Sequence, residues 1–360
     1  PYSHLAVQKL DALRSAYPLP MHVHLCAQPG ADYLGNSERF DSWALRDAAS
    51  IASGYGLRLP AAPTQPSADL ARAANNALAA LLGSDGFAAA ATEIGELIWS
   101  GIKPDEPSAA GSSGDGQSAV EAGNALRQKL GHYAGAMFFF EGEWYWGVDR
   151  LRLLEARLAE EGIAEAGTEV LVPEPVSVDT STLDTGKVLL EYFPSLRSPY
   201  TAIGHRRVLA LIERSRVPVQ VRPVMPMLMR GVPAPRAKQR YIITDSAREG
   251  LAHGSPMGRV VDPFGDPVRR AFALFPAAAK LGKDMAFVTA YLQAAWEDGV
   301  DIGEQSGLQT VASRAGIDWQ ALQDARQGTD WEAVLEDNLQ AMLGAGLWGV
   351  PSFRVSGGNN

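Results

Sequence analysis

The stretch that decides the fold is V-L-L-E-Y-F over 188–193, followed after four residues by S-P-Y-T over 198–201. The first run is typical of a buried strand. The second is typical of a helix start, because proline needs no hydrogen-bond partner at the first helical position. A C-x-x-C pair would suit this place, but serine stands first and threonine fourth. The stretch therefore predicts a helix N-terminus that either has lost its chemistry or uses a thiol from elsewhere.

Composition is typical of a globular protein. The chain has 360 residues, 46% hydrophobic and 20% charged, which allows a sizeable core and about two domains. A net charge of −9 argues against nucleic acid or an anionic membrane surface as the main partner. No apolar run reaches the ~18 residues that a membrane helix needs. We therefore expect neither nucleic acid nor a membrane as the main partner.

The single cysteine, Cys26, limits both compartment and chemistry. It cannot form an internal disulfide, which fits a reducing compartment, and it excludes a two-thiol mechanism within one chain. The sequence opens at Pro1 without a methionine or a signal-peptide pattern, as if cut within an element. The single cysteine favours a cytoplasmic location.

An internal repeat organises the chain. Several segments match when the sequence is shifted by 198 positions, and two asparagines each lie 13 residues before a matching closing strand. The matches are Pro1-Tyr2 with Pro199-Tyr200, 21–26 with 219–224, Trp43 with Tyr241, Asp47 with Asp245, and Asn124 before Met137 with Asn338 before Pro351. The series predicts two copies of one domain, over 1–165 and 187–360, joined by a linker over 166–186 that is rich in Pro, Ser, Thr and Gly.

Each copy is predicted to start with a helix, continue with a strand and several helices, and close with a strand. The predicted strands are 21–26, 136–147 with a hairpin turn at 141–143, 188–193, 219–224 and 350–355. The main predicted helices are 68–82, 87–99, 268–281, 285–296 and 331–343, and 103–118 is expected to be a surface loop. This order indicates an α/β fold with a mixed sheet and a helical insertion in each copy.

These motifs resemble a known superfamily. The strand before S-P-Y, a K-x-x-Y-x-x-x-D segment (Lys238, Tyr241, Asp245), a helical insertion and G-V-P-S-F over 349–353 resemble the DsbA-like thioredoxin-fold superfamily. The nearest branch is that of the 2-hydroxychromene-2-carboxylate isomerases and kappa-class glutathione transferases. W-G-V-D-R-L over 146–151 is similar to the G-x-D-R motif of that branch. The resemblance extends over nearly the whole chain, once per copy, and implies two tandem DsbA-type domains.

The resemblance also implies a glutathione site in the second copy. Ser198 would stabilise the glutathione thiolate at a helix N-terminus, where backbone N–H groups and the helix dipole favour an anion. Lys238 would meet the anionic glutathione. Val350-Pro351 would form a cis peptide bond and offer the Val350 backbone to the ligand. Asp149 and Arg150 match the D-R pair in the first copy.

Simpler interpretations exist for each of these residues. Ser198 could be only a helix cap, Lys238 a solvated surface lysine, Pro351 an ordinary trans proline, and Asp149-Arg150 a salt-bridged helix start. The arginines Arg230 and Arg236 could serve an anionic ligand, without a firm family match.

The copies also depart from the family pattern. The first has Met137 and Phe40 in place of the proline and the lysine, and its serine position falls before residue 1. In the second copy, neither a D-R pair nor the branch's substrate-positioning asparagine has a clear match. The first copy is therefore expected to be degenerate, and the second to be better preserved.

Other polar residues give weaker signals. His22 and His24 would share one strand face, but with no third ligand nearby a surface pair is favoured over a zinc site. His205-Arg206-Arg207 is most simply a polar face of the helix that starts at Ser198. Cys26 is expected to be a small core residue. Glycine-rich loops for phosphate or dinucleotides are absent from the sequence.

Three functions stay open at this point. The first is a glutathione-dependent isomerase or transferase acting on a small unsaturated organic acid. The second is a DsbA-like binding or structural protein without catalysis, since a fold alone does not establish an activity. The third and weakest is a thiol–disulfide oxidoreductase. The two copies are expected to form an intramolecular pseudo-dimer, in a monomer or a homodimer, with the first copy as a structural partner.

Overall fold

The computed structural model describes residues 1–105, 115–164, 168–175, 179 and 187–357. These residues form two compact units. Unit 1 lies within 1–177 together with 235–241, and unit 2 within 178–234 together with 242–360. Much of the predicted linker and residues 106–114 of the predicted loop lie outside the described residues.

Unit 1 consists mostly of helices. They are α1 (Tyr2–Val7), α2 (Leu10–Ala16), α3 (Ala31–Leu34), α4 (Ser37–Tyr55), α5 (Ala68–Ala79), α6 (Phe87–Trp99), α7 (Gly116–Lys129) and α8 (Leu151–Glu160). Two strands, β1 (Met137–Phe140) and β2 (Glu143–Trp146), pair as an antiparallel hairpin. The turn residues Glu141 and Gly142 both have positive φ, 43° and 88°, as tight hairpin turns require. The predicted hairpin is therefore confirmed.

The strand predicted over 21–26 is wrong. These residues form no strand, and the sheet of unit 1 within the described ranges is a two-stranded antiparallel hairpin rather than the expected mixed sheet. The side chains still alternate, since His22 and His24 are exposed and Leu25 packs into an apolar cluster with Phe87. A strand also needs a hydrogen-bonded neighbour. The alternation therefore predicts correctly which side chains are buried, but not that the segment pairs with another strand.

A buried carboxylate attaches part of the predicted linker to unit 1. Glu155 of α8 is buried, and its oxygens accept from Leu171 N at 2.8 Å and Val172 N at 3.1 Å. Tyr17 OH also donates to it at 3.0 Å. Val172 is itself buried in the cluster of Leu151 and Leu158. Residues 171–172 of the predicted linker are thus packed against unit 1 as part of it.

Unit 2 contains a three-stranded sheet and a helical insertion. Its elements are β3 (Val188–Phe193), α9 (Pro199–Ser215), β4 (Val219–Val221), α10 (Arg236–Ala252), α11 (Asp266–Lys280), α12 (Asp284–Trp296), α13 (Gln305–Arg314), α14 (Trp319–Arg326), α15 (Trp331–Gly344) and β5 (Ser352–Gly357). The boundary between the units falls inside α10, after Tyr241.

The sheet of unit 2 has the predicted mixed topology. β3 lies in the centre, parallel to β4 and antiparallel to β5. The predicted strand 188–193 matches β3, whereas β4 is shorter than predicted and β5 begins two residues later. Because β3 and β4 are parallel, their carboxyl ends meet at one edge of the sheet, where α9 begins.

The core of unit 2 lies between the sheet and the insertion. Phe272 of α11 and Phe287 and Tyr291 of α12 are fully buried together with Tyr192 of β3. Each such side chain contributes about 1.5–3 kcal/mol by leaving water. No helix in the described ranges is long and apolar enough to cross a membrane.

Candidate functional site

The first turn of α9 is fixed by side-chain caps. Ser198 is the N-cap, and its Oγ accepts a hydrogen bond from Thr201 N at 3.2 Å. Pro199 occupies the first helical position, as predicted. The hydroxyl of Thr201, fully buried, accepts from Ser195 N at 3.2 Å. Ser198 is therefore a helix cap, and two side-chain hydrogen bonds hold the turn over 195–201.

Ser198 lies beside the backbone of Val350. Its Oγ donates to Val350 O at 3.4 Å, across 152 positions of sequence, and the side chain is 8% exposed. The Val350-Pro351 peptide bond is cis, as the resemblance implies. Ser352 Oγ donates to Gly349 O at 2.6 Å and closes the turn before β5. The structure thus brings together Ser198, Val350 and Pro351, three of the predicted site residues.

A phenol–carboxylate pair ties the start of α9 to α10 within unit 2. Tyr200 OH donates to Asp245 Oδ2 at 2.8 Å, and Asp245 is 1% exposed. Arg248, one turn further along α10, lies 3.7 Å from the other oxygen of Asp245. The orientation of the α9 N-terminus thus depends on a buried charged group.

His205 does not belong to a polar face, contrary to the prediction. It is buried, with Nδ1 3.1 Å from Tyr192 OH and Nε2 2.8 Å from Thr289 Oγ1. Burial lowers the pKa of this imidazole to about 4, so His205 is neutral at pH 7. Its neighbour Arg206 does face solvent and pairs with Glu297. One residue in the polar triplet therefore faces the core, as the helical period allows.

Lys238 is placed in unit 1, whereas Ser198 is placed in unit 2. Lys238 Nζ donates to Tyr33 O at 2.6 Å, and burial lowers the pKa of the ammonium to about 8. The interpretation of Lys238 as a solvated surface lysine is therefore wrong. Tyr241, also in unit 1, packs edge-on against the ring of His132 at 4.9 Å.

Asp149 and Arg150 form an ion pair in a 3₁₀ turn over Val148–Arg150, directly before α8. The interpretation as a salt-bridged helix start is confirmed. Met137 begins β1 and pairs with Trp146, so an ordinary hairpin strand occupies the position that the predicted repeat matched to Pro351. A ligand role for Asp149 and Arg150 stays a prediction.

The sequence analysis missed a buried charge network on the central strand. Glu191 of β3 is 2% exposed and accepts from Arg222 Nε at 2.7 Å and from Arg354 Nε on β5. Asn338 accepts from Arg222 and donates to Pro223 O at 3.0 Å. The hydrogen bond from Arg354 lowers the pKa of Glu191, with further attraction from Arg222. The single glutamate within the apolar run V-L-L-E-Y-F is the signal in the sequence that could have indicated this network.

Metal and thiol chemistry gain no support from the structure. Within the described ranges, no group of three His, Cys, Asp or Glu residues could hold a metal ion. Cys26 is half-buried, and burial raises the pKa of its thiol. It is therefore a poor nucleophile at neutral pH.

Comparison with known proteins identifies one domain. Residues 189–360 match the model of the DSBA-like thioredoxin domain, a range that includes most of unit 2 together with the segment 235–241. The presence of a second, tandem domain of this kind stays a prediction. A comparison with curated proteins gives no significant match.

Solved structures of DsbA-type proteins resemble about half of the chain. A 2-hydroxychromene-2-carboxylate isomerase is 16% identical, with a TM-score of 0.39, over 46% of this chain and 84% of its own. The cytosolic disulfide reductase DsbM from Pseudomonas aeruginosa is 20% identical, with a TM-score of 0.37, over 47% and 87%. The same reductase solved with GSH is 19% identical, with a TM-score of 0.33, over 48% and 89%.

Proposed function

We propose that unit 2, through its DSBA-like thioredoxin domain, is a glutathione-dependent isomerase or transferase that acts on a small unsaturated organic acid. The observation that carries this proposal is the placement of the Ser198 hydroxyl at the N-terminus of a 17-residue helix, 3.4 Å from the carbonyl oxygen of Val350. This arrangement offers a hydroxyl, a helix dipole and the backbone of Val350 at one point.

The groups around Ser198 fit the cysteinyl part of glutathione. The helix N-terminus stabilises a negative charge, which lowers the pKa of a nearby thiol. The Ser198 hydroxyl can donate a charge-assisted hydrogen bond, among the stronger kinds. Val350 O accepts from Ser198 over 3.4 Å, which is long for an O–H···O bond. Turning the hydroxyl proton from Val350 O toward a bound anion therefore costs little.

When bound, glutathione would supply a thiolate nucleophile that adds to an electrophilic carbon, reversibly in an isomerase and irreversibly in a transferase. The chain itself holds the hydroxyl in place through Thr201 N. It also holds the helix start through Tyr200 and Asp245. A glutathione role for Lys238, Asp149 and Arg150, which belong to unit 1, stays a prediction.

A calorimetric titration with glutathione tests this proposal. We expect binding with a dissociation constant below about 1 mM, together with the ultraviolet absorbance of a thiolate. That absorbance should be lost in Ser198→Ala and kept in Ser67→Ala, which removes an equivalent cap from α5. S-methylglutathione, which has no ionisable thiol, should bind without the absorbance. Absence of glutathione binding by the wild-type chain would refute the proposal.

A catalytically silent binding protein is the second candidate function. It is favoured by the low exposure of Ser198 and by the use of its hydroxyl as both donor and acceptor within the fold. For such a protein, Ser198→Ala should lower the unfolding free energy without changing the response to glutathione. Disulfide exchange is the weaker alternative, because serine and threonine stand where two thiols would be needed.

We also propose that unit 1 is a diverged tandem copy that acts as a structural partner in a pseudo-dimer. Two pairs of equivalent contacts support this. Tyr2 OH donates to Asp47 Oδ2 at 2.7 Å in unit 1, as Tyr200 does to Asp245 in unit 2, 45 positions apart in both cases. Asparagines of the helices before the closing strands also contact the corresponding backbone segments: Asn124 Oδ1 accepts from Ala27 N and Asn338 Nδ2 donates to Pro223 O, both at 3.0 Å.

A further inference from the structure

We propose that Arg230 binds a carboxylate group of the ligand of unit 2. This inference deepens the proposed function and rests on it for the identity of the ligand, since both glutathione and an organic acid carry a carboxylate. Three observations lead to it: the partial burial of Arg230, the absence of a partner for its guanidinium among the described residues, and its place after β4, which leaves the same sheet edge as β3.

Among the described residues, Arg230 is a partly buried cation without a counter-charge. Its Nε is buried and has no hydrogen-bond partner. In the part of the chain that the structure describes, its guanidinium has neither a hydrogen bond nor an ion pair. Burial lowers the pKa of this side chain. Removing an ionised group from water without a partner is unfavourable, so this position is one that a bound anion would stabilise.

Other partly buried arginines of unit 2 are paired. Arg222 donates to Glu191 at 2.7 Å. Arg197 makes two hydrogen bonds of 2.7 Å with Asp262 and lies over the ring of Phe264. The fold thus neutralises these arginines internally. The contrast makes the solitary guanidinium of Arg230 unusual within its own domain.

The backbone brings the segment of Arg230 to the edge of the sheet where α9 begins. After β4 the chain runs beside the segment that follows β3. Arg222 N donates to Tyr192 O at 2.8 Å, and Val224 N donates to Pro194 O at 2.9 Å. Because β3 and β4 are parallel, both segments leave the same edge. Ser198 follows β3 by five positions and Arg230 follows β4 by nine.

The local backbone holds Arg230 at a defined position. It ends a 3₁₀ turn over Met227–Arg230, and Gly231 follows with a positive φ of 76°. Met229 in the same turn packs against the main core of unit 2. A guanidinium on such a support suits a carboxylate, because its planar fork can donate two parallel hydrogen bonds.

A carboxylate titration tests this proposal. The probes are cinnamate, a small unsaturated acid, its uncharged amide cinnamamide, and glutathione, each added to the full chain in a calorimeter. The variants are Arg230→Met, which keeps much of the side-chain volume without the charge, and Arg230→Lys. Arg236→Met is the matched control, since Arg236 is exposed and was the other arginine considered for an anion.

We expect Arg230→Met to lose at least about tenfold in affinity for one of the two acids, the loss typical of a charged hydrogen bond. A loss for cinnamate alone assigns the organic acid to Arg230, and a loss for glutathione alone assigns a glutathione carboxylate. Arg230→Lys should keep part of the affinity. Arg236→Met should bind both acids as tightly as the wild type does. Cinnamamide should bind the wild type and Arg230→Met with equal affinity.

Stability separates a binding role from a structural one. Without ligand, Arg230→Met should unfold at the same temperature as the wild type or a higher one, because it removes an unpaired buried charge. A lowered unfolding temperature with unchanged affinity for both acids would overturn the proposal, as would equal losses in Arg236→Met. The thiolate absorbance with glutathione and its loss in Ser198→Ala are measured separately, so the proposed function can fail or hold independently.

Discussion

The phenol of Tyr200 donates a 2.8 Å hydrogen bond to the carboxylate of Asp245, which is 1% exposed. This bond joins the first turn of α9 to the middle of α10. A buried carboxylate that loses a donor retains the full cost of its desolvation. The geometry of the candidate site is therefore coupled to the stability of unit 2.

Replacing Tyr200 with phenylalanine tests that coupling. We expect Tyr200→Phe to lower the free energy of unfolding by about 1–3 kcal/mol, because Asp245 stays buried with one donor fewer. Urea denaturation measures the change. Tyr2→Phe removes the equivalent bond to Asp47 in unit 1 and should have a similar effect. Unchanged stability in both variants would show that these bonds contribute nothing.

Ser198 should contribute to stability as well as to ligand binding. Ser198→Ala is expected to cost about 1 kcal/mol, the usual effect of removing a helix cap. Ser198→Asn should restore most of it, since asparagine caps helices equally well. Urea denaturation of the ligand-free chain measures both. Equal midpoints for wild type and Ser198→Ala would contradict the cap, whatever the ligand does.

The buried imidazole of His205 predicts a pH dependence of stability. Its pKa is about 4 in the folded chain, below its ordinary value of 6.5. The unfolded chain therefore binds more protons between these values, and the contribution of His205 is present above pH 6.5 and is lost as pH falls toward 4. The difference corresponds to roughly 3 kcal/mol at most.

Unfolding free energies of the full chain measured from pH 4 to 8 check this prediction. His205→Gln removes this titration while offering polar atoms to Tyr192 and Thr289, and should reduce the slope below pH 6.5. His132, whose pKa burial also lowers to about 4, keeps its own contribution. The control is His24→Gln, at an exposed position of unit 1. If His205→Gln keeps the wild-type slope, the dependence belongs to other groups.

Glu191 should be essential to the sheet of unit 2. Glu191→Gln leaves Arg222 and Arg354 without their counter-charge and is expected to cost about 3 kcal/mol or more. The lowered pKa of Glu191 means that its contribution is present above the ordinary glutamate pKa and is lost as pH falls through the lowered value. Glu213→Gln, at an exposed position of α9, is the control in the same denaturation series.

Disulfide reduction provides a test of the weaker alternative function. The wild-type chain should show negligible insulin reduction, because Ser198 and Thr201 cannot exchange a disulfide and the thiol of Cys26 has a raised pKa. A Ser198→Cys, Thr201→Cys double variant should gain this activity, since it places two thiols at the start of α9. Robust insulin reduction by the pure wild-type protein would contradict the assignment.

Local sequence patterns were sufficient for several elements. The apolar run at 188–193 predicted β3, and the pattern at 87–99 predicted α6, because burial repeats along each segment with a clear period. The serine before Pro199 predicted the start of α9 for the same local reason. The cis bond at Pro351 could be expected only from the resemblance to a family.

Contacts between distant residues could not be predicted in this way. Glu191 is paired with arginines 31 and 163 positions away, so the sequence shows a lone charge where the fold has a network. Residues 21–26 alternate as a strand does but have no neighbouring strand in the described part of unit 1. His205 shares a polar triplet with two arginines, and only the packing of α9 shows that it faces the core.

The carboxylate of Glu155 has a practical consequence for dividing the protein. A fragment ending at residue 165, where the first repeat was expected to end, would lack the backbone donors of Leu171 and Val172. Only Tyr17 of the three donors described above would then remain, and the buried side chain of Val172 would also be missing. Recombinant expression of unit 1 by itself should therefore extend beyond Val172.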